Sequence, residues 1–334
     1  MAIVKNQQQQ DLICCVCGNI NTILRSEARN LRIFTSINRY CYKCKKQTLQ
    51  IYIENITTAR FVLEQTPYLS RNQQIVLKLI GEEEYKIKWN SLNFLKRWNM
   101  TDLEYIEKYY KGNIEEAKKQ MELGIPVQYI VGNVDFYGYE FKVNKNVLIP
   151  RFETEELVNR TIKYIKKNID NPKIVDLGTG SGCIAITLSK ELNVSVDAVD
   201  ISDKALEVAQ QNNEMNKSKV TFYQGNMLEP LNKKYNVIIS NPPYISRNEE
   251  IEDIVKNNEP ELALYADNDG LYYYEEILKN ASNYLEEKFL IAFEIGYLQG
   301  KKIKELALKY LENINVSIEK DLSEKDRFVF INKM

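Results

Sequence analysis

The sequence predicts an α/β protein. A mostly parallel sheet alternating with helices fills its second half, preceded by a small helical domain and an N-terminal cysteine-bearing ribbon. Three observations predict this. Two cysteine pairs stand near the N-terminus, a glycine loop from Gly178 to Gly182 follows a short apolar strand, and the apolar run Tyr235 to Ser240 ends in Asn241-Pro242-Pro243-Tyr244. With 334 residues, 44% of them hydrophobic, the chain can bury the cores of two or three domains. A net charge of -1 offers no global attraction to nucleic acid or to an anionic membrane, so any nucleic-acid contact must come from a local patch. Histidine is absent, which excludes histidine bases, histidine metal ligands and Ser-His triads. The chain has no apolar stretch of about twenty residues, and its start, with glutamines from Gln7 to Gln10, lacks the apolar core of a signal peptide. A soluble, cytoplasmic protein with no membrane contact is the expectation.

Five of the six cysteines fall in the first 44 residues. Cys14-x-x-Cys17-Gly18 and Cys41-x-x-Cys44 have the spacing of two knuckles closed on one zinc ion. Cys15 competes with Cys14 as a ligand, although only Cys14 gives the usual two-residue gap, and iron held by the same four sulfurs is the rival metal. Disulfides are disfavoured where thiols are kept reduced. Residues 1–60 carry nine Lys or Arg against three acids. Such a basic ribbon suits RNA phosphates, or else is a solvated surface around a structural zinc. Cys14 to Cys17 and Tyr40 to Leu49 resemble the small zinc-ribbon protein of the bacterial large ribosomal subunit, with a looser likeness between Ile20 and Arg39.

Residues from Phe61 to Gly124 read as helical. Thr101-Asp-Leu-Glu104 is a capping box, after which Leu103, Ile106 and Tyr110 share one face. A second helix, from Ile114 to Leu123, stops at Gly124 with Pro126 close behind. The stripes suit a helix-bundle core, and docking of a protein substrate is the other use of the segment. Next, Phe136 to Val143 alternates as a strand does and is followed by Val147 to Thr154, which suggests a hairpin leading into the sheet domain. Phe136 and Tyr137 either pack that hairpin or wall a pocket facing Tyr244.

Lys173-Ile-Val-Asp-Leu-Gly-Thr-Gly-Ser-Gly182 reads as a strand, a glycine loop and the start of the apolar helix Cys183 to Leu192. Glycines at 178, 180 and 182 let a ligand approach the backbone. A second strand, Val194 to Val199, ends in Asp200, where a carboxylate can take the hydroxyls of a ribose at the carboxyl edge of a parallel sheet. A nicotinamide-binding loop wants glycine or alanine where Cys183 stands, so the spacing favours S-adenosylmethionine over a dinucleotide.

Asn241-Pro242-Pro243-Tyr244 can hold a planar nitrogen. The Asn241 side-chain oxygen and the Pro242 carbonyl can each accept a hydrogen from one NH2 group, the prolines fix the backbone, and Tyr244 offers a flat ring for stacking. A strand-ending turn is the plain alternative.

Taken together the pattern resembles the HemK-type N5-glutamine methyltransferases, which modify the glutamine of the Gly-Gly-Gln motif in peptide-chain release factors. The likeness runs from about residue 65 to the end. It rests on Phe136-Tyr-Gly138, Ile149-Pro-Arg-x-Glu-Thr154, Asp176-Leu-Gly-Thr-Gly-Ser-Gly182, Asp200, Asn241-Pro-Pro-Tyr-Ile245, Glu259-Pro260 and Glu294-x-Gly296. Phe152 replaces the family's usual proline, and Asn226 stands where an aspartate is common. The resemblance implies a class I S-adenosylmethionine-dependent methyltransferase fold over 156–334, which follows a helical substrate-docking domain over 61–125 and a connecting β-hairpin over 126–155, while the cysteine spacing and the ribosomal likeness give the zinc ribbon over 1–60. The coarse reading agrees, with strands near 173–177, 194–200, 219–224, 235–240 and 288–295 and a closing hairpin near 315–332.

By the same resemblance, Asp176, Gly178, Thr179, Gly180, Ser181 and Gly182 bind the donor near its methionine end. Asp200 and Ile201 take the ribose side, and Asn226 and Met227 lie against adenine. Asn241, Pro242 and Tyr244 are the expected catalytic residues; Pro243 and Phe136 join them around the substrate, and Asn241 also borders the donor. Glu153, Thr154 and Glu259 are read as ordering their loops. A carboxamide nitrogen is a poor nucleophile and no strong base is present, so positioning and carbonyl dipoles carry the expected catalysis. Two rival functions remain. One is amino methylation of adenine or another exocyclic amine in DNA or RNA, with the base flipped out. The other is a non-enzymatic ribosome-binding protein, against which the retained Asn241, Asp200 and loop glycines argue.

Overall fold

A computed structural model describes residues 9–14, 20–24, 36–41, 46–53 and 102–333. The chain divides into two compact units, 1–101 and 102–334. In the first, β1 (Gln9–Cys14), β2 (Ile20–Leu24), β3 (Ser36–Cys41) and β4 (Lys46–Ile53) form an antiparallel sheet of order β2-β1-β4-β3. Both β1 and β3 run antiparallel to β4, with Cys14 opposite Gln50 and Cys41 opposite Lys46. β1 and β3 therefore run in the same direction, each ending in a cysteine, with Cys14 opposite the middle of β4 and Cys41 opposite its first residue. Cys17 and Cys44, and the expected helices before residue 102, lie outside the described residues.

The second unit opens with three helices, α1 (Asp102–Tyr109), α2 (Ile114–Glu122) and α3 (Val127–Val131). Asn113 caps α2, its side-chain oxygen accepting from the Glu115 amide at 2.9 Å. Beyond the helix Gly124 has φ +80°, the left-handed stop that its sequence position predicts. A hairpin follows, β5 (Asn133–Phe136) against β6 (Tyr139–Lys142). It turns at Tyr137-Gly138, at the start of the Phe136–Val143 run that alternation reads as a strand. The second arm expected from Val147 to Thr154 is not a strand, because Phe152 already begins helix α4 (Phe152–Asn168).

The sheet is built from β7 (Ile174–Leu177), β8 (Val196–Asp200), β9 (Val220–Gln224), β10 (Tyr235–Ser240), β13 (Leu285–Glu294), β14 (Asn315–Lys320) and β15 (Asp326–Lys333). A short parallel pair, β11 (Ile245–Ser246) and β12 (Tyr265–Ala266), lies outside it. The order is β14-β15-β13-β10-β7-β8-β9, with β15 antiparallel to both its neighbours and the five strands from β13 to β9 parallel. This is the class I methyltransferase arrangement. The chain moves outward from β7 to β8 and β9, then crosses back to β10 on the other side of β7, so the strand order reverses between β7 and β10.

Near-continuous apolar strands follow from burial on both faces. On one face, Ile174, Val237, Ile239, Leu290 and Ala292 pack with α4, with α5 (Cys183–Leu192) and with α6 (Asp203–Asn216). On the other, Val175, Ile238, Ile291 and Phe293 pack with α9 (Tyr272–Asn280) and α10 (Gly300–Tyr310). Burying one such Leu or Ile contributes roughly 1.5–3 kcal/mol. The period of two also puts two carboxylates, Asp176 and Glu294, on the α4–α5 side of their strands. Between β11 and β12 lie the short helices α7 (Asp253–Asn258) and α8 (Glu261–Leu264). Asn258 Nδ2 donates to the Gly124 carbonyl at 2.9 Å and ties α7 to the end of α2.

Candidate active site

The glycine loop leaves β7 at the switch point. The Gly178 and Thr179 amides both donate to the Val199 carbonyl at 2.9 Å, and the Gly180 amide donates to Asp200 Oδ2 at 2.8 Å. The other Asp200 oxygen accepts from the Ser202 amide at 2.9 Å. Each oxygen keeps a further lone pair, so Asp200 can anchor the loop and still accept from a diol. Burial raises the Asp200 carboxyl above its ordinary value, against the pull of the Ser202, Gly180 and Ile201 amides.

Asp176 works from beneath. Its Oδ2 accepts from the Thr179 hydroxyl at 2.5 Å and the Ala185 amide at 3.3 Å, joining the loop to the first turn of α5. Complete burial pushes its carboxyl up to about 7, despite the Thr179 and Ala185 hydrogen bonds. Gly182, at φ +81°, caps α5 where a Cβ would meet Ile186 Cδ1 at 2.9 Å and Ala209 Cβ at 3.2 Å. Only glycine lets α5 and α6 close together there. From α6, buried Asn212 holds the loop's rear, donating to the Ser181 carbonyl at 2.9 Å and to the Lys142 carbonyl at 3.0 Å.

A cleft open to solvent runs over these strand ends. Of the residues expected to hold the donor, Gly178, Gly180, Asp200, Ile201, Asn226 and Met227 line it. Asn241 and Pro243 line it from the β10 side. Asp176, Thr179, Ser181 and Gly182 lie below the surface as supports. Asn226 turns its Nδ2 to Glu229 at 3.2 Å. Phe136 is not brought to the cleft; it is 1% exposed, with its ring edge-on to Phe141 at 5.9 Å. Sequence reasoning did not point to Val147, Leu148, Pro260 and Tyr273 as lining residues. The first two are held over the cleft by Tyr129, whose hydroxyl donates to the Val147 carbonyl at 2.7 Å. Buried Glu259 accepts from the Ile149 amide at 3.1 Å and pairs with Arg151, tying the segment before α4 to the end of α7.

Asn241 sits half-buried at the end of β10. Its Nδ2 donates to Thr154 Oγ1 at 3.1 Å, and the Thr154 hydroxyl donates to Glu294 Oε2 at 2.7 Å. Burial pushes the Glu294 carboxyl up to about 7, against the Thr154 hydrogen bond. With its nitrogen tied back, Asn241 has its side-chain carbonyl left to accept from a ligand. Tyr244 follows two prolines and is clamped through its backbone, its carbonyl accepting from Gln299 Nε2 at 2.9 Å. Burial raises its phenol well above the ordinary tyrosine value, so the ring stays neutral. Pro242 and Tyr244 do not line the cleft, and Tyr244 packs against the apolar cluster on the α9–α10 face; the Asn241 side-chain oxygen is the neutral acceptor bordering the glycine-lined cleft, where it can orient an NH2 group.

The model of the methyltransferase small domain matches residues 157–259. The chain is 44% identical over 229 residues to a release factor glutamine methyltransferase of Bacillus subtilis, covering 66% of this chain and 78% of the relative. It is 47% identical over 227 residues to that of Flavobacterium psychrophilum, covering 65% of this chain and 79% of the relative. For the protein so named in Lactococcus lactis, identity is 38% over 253 residues, 74% of this chain and 93% of the relative. With the sheet order, the glycine loop at the switch point and an asparagine poised at the end of β10, this places the chain in the release factor glutamine methyltransferase family.

Proposed function

We propose that this enzyme transfers a methyl group from S-adenosylmethionine to the side-chain amide nitrogen of the glutamine in the Gly-Gly-Gln motif of peptide-chain release factors. The observation that carries the reading is the junction of two features at the β7–β10 switch point: a cleft bordered by bare glycine backbone, and Asn241 with its nitrogen tied away from the ligand side. The cleft fits the donor. A Cβ on Gly178 or Gly180 would meet nothing within 4 Å, so both face open space, and Ile201 leaves an apolar side chain 54% exposed beside Asp200. When bound, S-adenosylmethionine supplies an electrophilic methyl group.

In this reading the Asn241 side-chain oxygen and the Pro242 carbonyl accept the hydrogens of the glutamine NH2, fixing its plane and lone-pair direction. As positive charge grows on the nitrogen, the same dipoles stabilise it in a site poor in water. Tyr244 holds the face of the amide. Asp200 accepts from the ribose, with Ile201 beside it, and Met227 lies against the base. The test is incubation with labelled S-adenosylmethionine and, in parallel, a bacterial release factor, ribosomal RNA and DNA. Label in the factor alone supports the proposal; label in nucleic acid alone overturns it.

The same proposal extends to the first unit. Cys14 and Cys41 are the last residues of two strands that run in the same direction, and in this reading the spacing of Cys14, Cys17, Cys41 and Cys44 supplies four thiolates for a structural zinc. The basic ribbon so formed would contact ribosomal RNA and keep the enzyme near its substrate in the cytoplasm. Residues 61–125 would dock the release factor.

A further inference from the structure

The Asn241 carboxamide has two ends of nearly equal shape and opposite hydrogen-bonding sense, and only one orientation can receive an NH2 group. Something must choose between them. Asn241 reaches Thr154 Oγ1 at 3.1 Å, and Thr154 Oγ1 reaches Glu294 Oε2 at 2.7 Å. A hydroxyl has one hydrogen to give. An ionised carboxylate accepts only, so Thr154 must spend that hydrogen on Glu294 and can offer Asn241 nothing but a lone pair. The Asn241 NH2 then turns to Thr154 and its oxygen to the ligand. If Glu294 carries a proton, the direction can reverse. Glu294 donates to Thr154, Thr154 donates to the Asn241 oxygen, and the amide presents its NH2 to a substrate NH2.

We propose that Thr154 and Glu294 are positioning residues that set the polarity of the Asn241 carboxamide, an inference resting on the methyl-transfer reading of Asn241. Both side chains are buried, Thr154 at 3% and Glu294 at 1% exposure, so water does not compete for the relay. The two come from distant parts of the chain, Thr154 from the first turn of α4 and Glu294 from the last residue of β13. The groups facing the Glu294 carboxylate divide in sign. Glu153 raises its proton affinity; Arg151 before α4 and Arg327 on β15 lower it. Tyr244 and, from α5, Cys183 also feel its charge. Tyr274 on α9 donates to its backbone carbonyl at 2.7 Å and fixes the strand end. Burial outweighs the two arginines and brings the group up to about 7, so the relay changes sense within the ordinary working range.

The test compares the full-length wild type with Thr154→Val, Thr154→Ser and Glu294→Gln. Release-factor methylation is followed from about pH 6 to pH 9, and S-adenosylmethionine binding is measured by calorimetry. Thr154→Val should lower kcat by about 10- to 100-fold with donor affinity within about twofold, and Thr154→Ser should recover most of the loss. Wild-type kcat should rise with pH through about 7 as Glu294 ionises. Glu294→Gln, which cannot ionise and whose amide can either accept from Thr154 or donate to it, should lack that acid limb. Wild-type kcat in Thr154→Val, or an unchanged acid limb in Glu294→Gln, would overturn the proposal. So would a loss of rate matched by an equal loss of donor binding. Asn241→Ala run alongside separates the levels. If it stays active the reading of Asn241 itself fails, whereas if it is dead and Thr154→Val is normal only the relay fails.

Discussion

In the proposed mechanism Asn241 acts through one oxygen atom, and the expected cost of removing it follows from that. Asn241→Ala should lower kcat by on the order of 10²-fold or more while donor binding persists, as for other preorganised polar groups at a reacting centre. Asp176 makes a different prediction. Its carboxyl titrates near 3.8 when unfolded and at about 7 in the fold, so between those values the native chain holds a proton that the unfolded chain has released. Its contribution is therefore full below about pH 4 and is lost as pH rises through about 7. Denaturation midpoints at about pH 5 and pH 8 should show a smaller loss of stability on raising the pH for Asp176→Asn than for the wild type. Equal losses would contradict the account. Residues of this kind were only half legible in sequence. Asp200, Gly178, Gly180 and Asn241 announce themselves because they sit at the ends of recognisable strands. The pairing of Thr154 with Glu294 spans 140 residues and no local spacing encodes it.

Among the elements, the turn between β12 and α9 has the most to reveal. Asn268, Asp269 and Gly270 have φ of 55°, 53° and 79°, three left-handed residues in succession. A Cβ on Gly270 would stand 2.0 Å from the Tyr244 carbonyl oxygen and 2.5 Å from Gln299 Nε2. This turn and Gln299 together form the back wall that holds Tyr244. Gly270→Ala should destabilise the protein by about 1–3 kcal/mol through overpacking and should also slow turnover. A variant with wild-type melting and rate would show that the turn does not support the site. The parallel strands were readable from their apolar runs, each bounded by a glycine, an acid or a proline. Less readable was the hairpin from Asn133 to Lys142, since its turn at Tyr137-Gly138 interrupts an alternation that continues on both sides. The start of α4 at Phe152 was hidden for a related reason: Arg151 makes no side-chain cap to announce it.

For the whole molecule, the account joins a basic cysteine-bearing unit to a methyltransferase unit. Four thiolates on one structural ion predict close to one zinc per chain in the purified protein, released on thiol modification and measured by a colorimetric chelator; none released would contradict the ribbon proposal. Among the described residues no helix is long and apolar enough to cross a membrane. The cluster of cysteines and basic residues before residue 60 and the late glycine loop and Asn-Pro-Pro-Tyr were visible in the sequence, whereas the division of the chain after residue 101, inside the segment read as one helical domain over 61–125, was not. The central claim is that Asn241 orients a glutamine amide of a release factor for methylation. Peptide mass spectrometry of a bacterial release factor, after incubation with S-adenosylmethionine and either wild type or Asn241→Ala, tests it most directly. The account predicts one added methyl group on the Gly-Gly-Gln glutamine with the wild type and almost none with the variant. A methyl group on another residue, or equal methylation by both proteins, would contradict it.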